Sequence, residues 1–168
     1  MAAIVANLPE TLKIRTVDAQ VLEVTGKLIN ESAVIKQIYE SKKDSNDTEI
    51  TVSVKYSDLK TAVDVLELCD LETPHVVLKK SKIDQRLFIE ANQPAMEFLN
   101  SVWGEDFLAS VHLAGELEIS RLVDLWMVFL VNLAEGKDVK ELRQIFKLRD
   151  DFTEEEEKEI RKRHECTN

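Results

Sequence analysis

The sequence predicts an α/β composition of the α+β type, with a small mixed half at the N-terminus followed by an all-helical half. Three observations predict it. Leu12-Lys13-Ile14-Arg15-Thr16-Val17 and Gln20-Val21-Leu22-Glu23-Val24 alternate on either side of Asp18-Ala19, the pattern of a β-hairpin. Ile50-Thr51-Val52-Ser53-Val54 alternates as a third strand. From Gln93 onward apolar residues recur at helical spacing instead. With 168 residues, the chain can bury roughly two thirds of its unfolded surface and needs neither metal nor disulfide to fold.

The elements follow in order. Asn30 caps a short helix over residues 31–39, where Ala33, Val34, Ile38 and Tyr39 recur at helical spacing. Asp44-Ser45-Asn46-Asp47 is a loop. Ser57 caps the next helix, in which Leu59, Ala62, Val63, Leu66 and Cys69 make one apolar face. Val76-Val77-Leu78 is a weak strand run after Pro74. Helices are expected over residues 95–103, 106–117, 121–135, 140–146 and 154–164. Asp138 with Glu141, and Thr153 with Glu156, have the spacing of capping boxes. Gly136 fits the left-handed position after a helix end. The chain thus divides into an α/β half (12–72), a connector (73–92), a helical part (93–135) and a terminal helical extension (136–168). No repeat of fixed period is visible.

Composition narrows the function. Apolar residues make up 44% and charged residues 32%, an ordinary globular balance. Lys and Arg number 22 against 32 Asp and Glu, a net charge of −10. Such a field repels phosphate backbones and anionic lipid, so no nucleic acid and no membrane partner is expected. The start, Met1 to Ala6, has no basic region and too short an apolar run for a signal peptide. The longest apolar run, Leu125 to Val131, falls far short of the about 20 residues that cross a bilayer. Cys69 and Cys166 form no C-x-x-C pair, which argues against a disulfide framework and for a reduced, intracellular setting.

Enzyme motifs are absent: no P-loop, G-x-G-x-x-G, H-E-x-x-H or G-x-S-x-G occurs, and four glycines leave little for phosphate-cradling loops. His75, His112 and His164 share no ligand spacing with either cysteine, so no metal and no cofactor is expected. His112, among Ala109, Val111 and Leu113, reads as an ordinary helical histidine. Glu154 to Glu157 occupy a first helical turn, where they complement the dipole. Lys79-Lys80-Ser81-Lys82 reads as a solvated connector.

What stands out is apolar. The helix from Arg121 to Glu135 is apolar nearly all round, so it must be covered nearly all round, either by the domain's own elements or with one face on the core and another against a partner helix. Trp126, Met127, Val128 and Phe129 sample every direction around it, and an outward Trp126 or Phe129 would make an extra interface or a self-association surface. The last helix is the opposite case. Ile160 is its one large apolar residue, with Phe152 before it and Cys166 after, and at about a dozen residues it needs a partner to become firmly ordered.

Asp150-Asp151-Phe152-Thr153-Glu154-Glu155-Glu156-Glu157, preceded by Gly136-Lys137 and Glu141-Leu142-Arg143-Gln144-Ile145-Phe146, strongly resembles the C-terminal half of the S-phase kinase-associated protein 1 family. Leu113-Ala114, Leu117-Glu118-Ile119 and Leu122-Val123-Asp124 resemble an upstream segment of that family, and the hairpin and helix of residues 12–39 and the segment ending at Leu68-Cys69 fit its N-terminal half more loosely. The resemblance implies a BTB/POZ domain with a C-terminal helical extension for F-box binding. It implies a non-enzymatic adaptor of SCF-type E3 ubiquitin ligases, linking F-box proteins to a cullin in ubiquitin-dependent degradation, in cytoplasm and nucleus. By match to the family, Leu108, Val111, Val123, Leu130, Phe146, Leu148, Phe152 and Ile160 face an F-box. Gly115 and Glu116, on the cullin-facing side, stand where the family has Asn-Tyr, so weak cullin binding is expected. Cys166 replaces a late tryptophan. These departures mark a divergent paralogue. The alternative is a structural or self-assembling BTB-fold protein that has lost the cullin link.

Overall fold

The computed structural model describes residues 7–42, 49–79, 81–102, 106–149 and 153–165. They belong to two compact units, residues 1–131 and 132–168. In the first unit, β1 (Thr11–Arg15) and β2 (Val21–Thr25) form the expected hairpin, antiparallel with Ile14 opposite Leu22. The turn is held by the Thr16 and Ala19 amides, which donate to Gln20 O at 2.9 Å and Thr16 O at 3.0 Å. β3 (Glu49–Thr51) lies parallel to β1 on its other side, giving the order β2-β1-β3. Backbone bonds from Val52 N to Arg15 O and from Val17 N to Val54 O carry the pairing past Thr51. That explains why the alternation of residues 50–54 outlasts the strand, with Ile50, Val52 and Val54 all buried.

The helix expected over residues 31–39 is two helices. α1 (Leu28–Glu31) ends at Ser32, whose extended backbone breaks the run, and α2 (Ala33–Ser41) begins beyond it. Ser32, rather than Asn30, is the cap: its buried hydroxyl accepts from Ile35 N and donates to Leu117 O. The cap expected at Ser57 is also displaced. α3 (Tyr56–Glu67) starts two residues earlier, with Lys55 at the cap position, and its first amide, Tyr56 N, donates to Asp18 Oδ1 of the hairpin turn at 3.1 Å. A helix end can borrow its acceptor from a distant loop, which local spacing does not reveal.

The connector differs most from expectation. Residues 74–79 belong to no strand among the described residues, and α4 (Lys82–Ala91) occupies the rest. Ser81, read as part of a solvated basic loop, caps α4 by accepting from Ile83 N. α5 (Gln93–Ser101) opens with Pro94 in its first turn, where a missing N–H costs nothing. α6 (Asp106–Glu116) and α7 (Ser120–Ala134) complete the helical layer. α3 packs on α5, α6 and β2, and Ile14, Ile35, Leu59, Val65, Leu99, Ile119 and Leu125 lie in the core.

The second unit carries α8 (Val139–Ile145) and α9 (Glu154–Glu165). Both expected capping boxes are present. Asp138 accepts from Glu141 N at 2.8 Å while Glu141 Oε2 accepts from Asp138 N at 2.9 Å, and Thr153 and Glu156 exchange the equivalent bonds. Gly136 has φ +73°, the left-handed conformation expected after α7.

Candidate functional site

α7 is where the apolar excess of the sequence is resolved. At about 100° per residue, Arg121, Leu122, Leu125, Trp126, Val128 and Phe129 span about 160° of its circumference, and all are buried. The opposite arc holds Val123, Met127 and Val131, all exposed, with half-buried Leu130 at its border with the buried face. One face therefore belongs to the core of the first unit, and the other is an uncovered apolar stripe. The extra interface expected at Trp126 and Phe129 is corrected by this geometry. Trp126 is 1% and Phe129 6% exposed, their rings edge-to-face at 6.0 Å, so both are core residues. Of the four consecutive residues, Met127 is the one that points outward, at 55% exposure.

Two polar anchors fix the rotation of α7. Arg121 is 7% exposed yet charged; its Nε and Nη2 grip Glu31 of α1 at 2.8 and 3.0 Å, and Nη2 also donates to Thr73 O at 2.7 Å. A bidentate pair with a third bond is what a buried guanidinium requires. One turn on, Asp124 Oδ2 accepts from Leu78 N at 2.8 Å and lies 2.8 Å from His75 Nε2. Residues 73–78 are thus strapped along α7. Sequence reasoning missed this cluster, though an arginine inside a nearly all-apolar helix was a signal that a carboxylate must meet it.

The residues expected to face an F-box fall in both units. In the first, Leu108 on α6 is 65% exposed and Val111 half-buried; on α7, Val123 is exposed and Leu130 half-buried. In the second, Phe146 at the end of α8 is half-buried, while Leu148 and Ile160 are exposed. Phe152 lies outside the described residues. Gly115 and Glu116, at the end of α6, are exposed, and a Cβ on Gly115 would meet nothing within 4 Å.

The site offers little for bond-making chemistry. Burial pushes the Cys69 thiol up to about 11, away from the thiolate a nucleophile needs. Among the described residues no three His, Cys, Asp or Glu are grouped to hold a metal ion, and no helix is long and apolar enough to cross a membrane.

A small mixed sheet layered with helices, followed by a helical C-terminal part with outward apolar side chains, is the architecture of a BTB-like domain with a helical extension. Residues 120–167 match the family described as "Skp1 family, dimerisation domain". Two Dictyostelium discoideum proteins, SCF ubiquitin ligase complex proteins SKP1a and SKP1b, are each 42% identical over 52 residues, 31% of this chain and 32% of theirs. SKP1-like protein 11 of Arabidopsis thaliana is 32% identical over 114 residues, 63% of this chain and 65% of that one. The chain spans less than two thirds of the length of each of these relatives. Residues 120–167 are thus similar to the Skp1 family, and the longer match to the Arabidopsis protein extends the similarity over 114 residues.

Proposed function

We propose that this chain is a non-enzymatic adaptor of an SCF-type ubiquitin ligase complex, working in cytoplasm and nucleus to join F-box substrate receptors to a cullin. The observation that carries the reading is the outward apolar stripe of α7, Val123, Met127 and Val131 with Leu130, inside the residues matched to the Skp1 family. Such a stripe suits an amphipathic partner helix laid against it. Leu108 and Val111 on α6, and Phe146, Leu148 and Ile160 beyond α7, supply further apolar contacts in this reading, and α9 becomes firmly ordered on the partner. On the cullin side, Gly115 and Glu116 provide no aromatic anchor, so the cullin link is weak.

Calorimetry with a purified F-box domain tests the reading. Val123→Glu with Met127→Glu should weaken binding at least about tenfold, as loss of hot-spot contacts does, with the melting temperature of the free protein unchanged. Undiminished affinity would remove α7 from the interface. A cullin N-terminal domain, titrated in parallel, should bind weakly and gain affinity on Gly115→Asn plus Glu116→Tyr, which the open space at Gly115 admits. The second reading, a self-assembling BTB-fold protein without a cullin link, is favoured by the same stripe and the same pair. It predicts concentration-dependent association by ultracentrifugation that the α7 double variant abolishes, without cullin binding in any variant.

A further inference from the structure

The chain has three prolines, and Pro74 is the one that follows a hydroxyl side chain, Thr73; Leu8 precedes Pro9 and Gln93 precedes Pro94. Residues 70–79 belong to no helix or strand, and Thr73 and Pro74 are both exposed. Ser57 and Thr61, by contrast, lie within α3 and would have to leave a helix before an enzyme cleft could take them in extended form. Proline adds two properties at this point. It has no N–H, so a protein surface that covers it leaves no backbone donor unpaired. It also biases the residue before it toward extended backbone.

One carboxylate closes the turn that presents Thr73. Asp70 Oδ1 accepts from Glu72 N at 2.9 Å, and Asp70 Oδ2 accepts from the Thr73 hydroxyl at 2.7 Å. That hydroxyl bond is the chief reason the Asp70 carboxyl lies below its ordinary value of 3.8. The Thr73 carbonyl is held separately, by Arg121 Nη2 at 2.7 Å. The backbone of Thr73 is therefore fixed to α7 while its side chain is exposed, and the hydroxyl that could be modified is the same one that closes the turn.

We propose that Thr73 is a phosphorylation site for a proline-directed serine/threonine kinase, and that the phosphate opens the turn closed by Asp70. With magnesium-bound ATP as donor, the bond from Thr73 Oγ1 to the γ-phosphorus forms as the bond from that phosphorus to the ADP oxygen breaks, and the hydroxyl proton passes to the kinase's base. The hydroxyl donor to Asp70 is lost in that step. About −1.5 to −2 of charge arrives in its place, beside the Asp70 carboxylate and the neighbouring Glu72. The nearby cations are already engaged, Lys27 with Glu72 and Arg121 with Glu31. Repulsion therefore outweighs attraction, and the turn loosens.

The test is incubation of the full chain with ATP, magnesium and an active mitogen-activated protein kinase, with mass spectrometry to count and place the phosphoryl groups. Thr73 should be modified, Thr73→Ser should accept the group at the same position, and Thr73→Val should accept none there. Pro74→Ala, with unchanged circular dichroism, should lower the initial rate at least about tenfold, because the kinase pocket then encloses an unpaired N–H. A free peptide of residues 67–79 supplies the rate for an unfolded substrate. A site reachable only through global unfolding would be slower than the peptide by the unfolded fraction, on the order of a thousandfold or more, whereas the native chain should approach the peptide. Carboxyl resonances read the turn. In the phosphorylated chain Asp70 should titrate higher than in the unmodified chain and higher than in Thr73→Val, which loses the donor without gaining charge. No phosphate on Thr73, a native rate slowed by the unfolded fraction, or a rate untouched by Pro74→Ala would overturn the site. An Asp70 titration no higher than in Thr73→Val would overturn the opening of the turn.

Discussion

The two units are stabilised by different physics. Among the described residues, every side chain in the buried apolar core, from Leu12 to Phe129, belongs to the first unit. In the second, α8 has no buried residue, and Val139, Leu148 and Ile160 are exposed. What the second unit has instead are local signals: two capping boxes, a left-handed Gly136, and i,i+4 ion pairs from Lys137 to Glu141 and from Arg163 to Glu159. Caps and surface pairs choose where helices start and stop, but each is worth only about 1 kcal/mol or less. The first unit is specified by burial and the second by punctuation. Apolar residues left over in the second are therefore available to a partner.

Substitutions can break this contrast. The largest effect is expected at Trp126: replacement by Ala should cost about 3–5 kcal/mol in urea denaturation, the usual result for a buried aromatic, and Trp126→Lys should unfold the first unit. A folded Trp126→Lys protein would return that side chain to the surface. Arg121→Ala should also cost about 3–5 kcal/mol by leaving the Glu31 carboxylate buried without its cation, whereas Arg121→Met with Glu31→Met should recover most of the loss. Failure of the double variant to recover would mean that the bond to Thr73 O matters more than the charge pair. In the second unit Ile160→Ala should leave the melting temperature unchanged while weakening F-box binding by about 1–2 kcal/mol in calorimetry. A stability loss without an affinity loss would make Ile160 a core residue. Asp138→Ala and Thr153→Ala should each cost about 1 kcal/mol, seen as faster amide exchange confined to α8 and α9 respectively. Exchange spreading into the first unit would show that the two regions are not independently stabilised.

The smallest expected effect is on pH. The Thr153 amide and hydroxyl hold the Glu156 carboxyl below its ordinary value of 4.5. A depressed carboxylate contributes fully above its unfolded pKa, and the contribution fades as pH falls through the lowered value. The α9 cap should therefore be intact at neutral pH and loosen in acid below the usual carboxylate range. Titration of the Glu156 side-chain resonance should show this, and in Thr153→Ala the midpoint should move back up.

What was legible in the sequence followed from period and punctuation. The hairpin, the third strand, both capping boxes and Gly136 are local signals, and the structure keeps them. What was missed depends on residues far apart. Ser32 displaces Asn30 as a cap because Leu117 supplies an acceptor for its hydroxyl, and Tyr56 begins α3 because Asp18 meets it from the hairpin turn. α4 had a local cue, Ser81 followed by Asp84, with Ile83 and Leu87 one turn apart. The cluster of lysines beside that serine obscured it. In α7 the amount of apolar surface was legible but its direction was not. Four consecutive apolar residues cannot say which of them faces inward; the polar anchors at Arg121 and Asp124 decide that, leaving Met127 outside and Trp126 within.

The pair between Glu31 and Arg121 also sets a clock. Its partners are 90 residues apart in the chain, and Ser32 and Leu117 are 85 apart. At about 5–20 residues per second of synthesis, Glu31 waits on the order of 5–20 s before its arginine is made. Through that interval the hairpin and α1 to α3 exist as a nascent chain without the side that closes their core. Such non-local closure slows folding, because the entropy of a long loop must be lost before the contacts that reward it appear. A nascent or truncated chain ending before residue 121 therefore lacks the side chains that close this core, and the first unit can become native only once α7 has emerged.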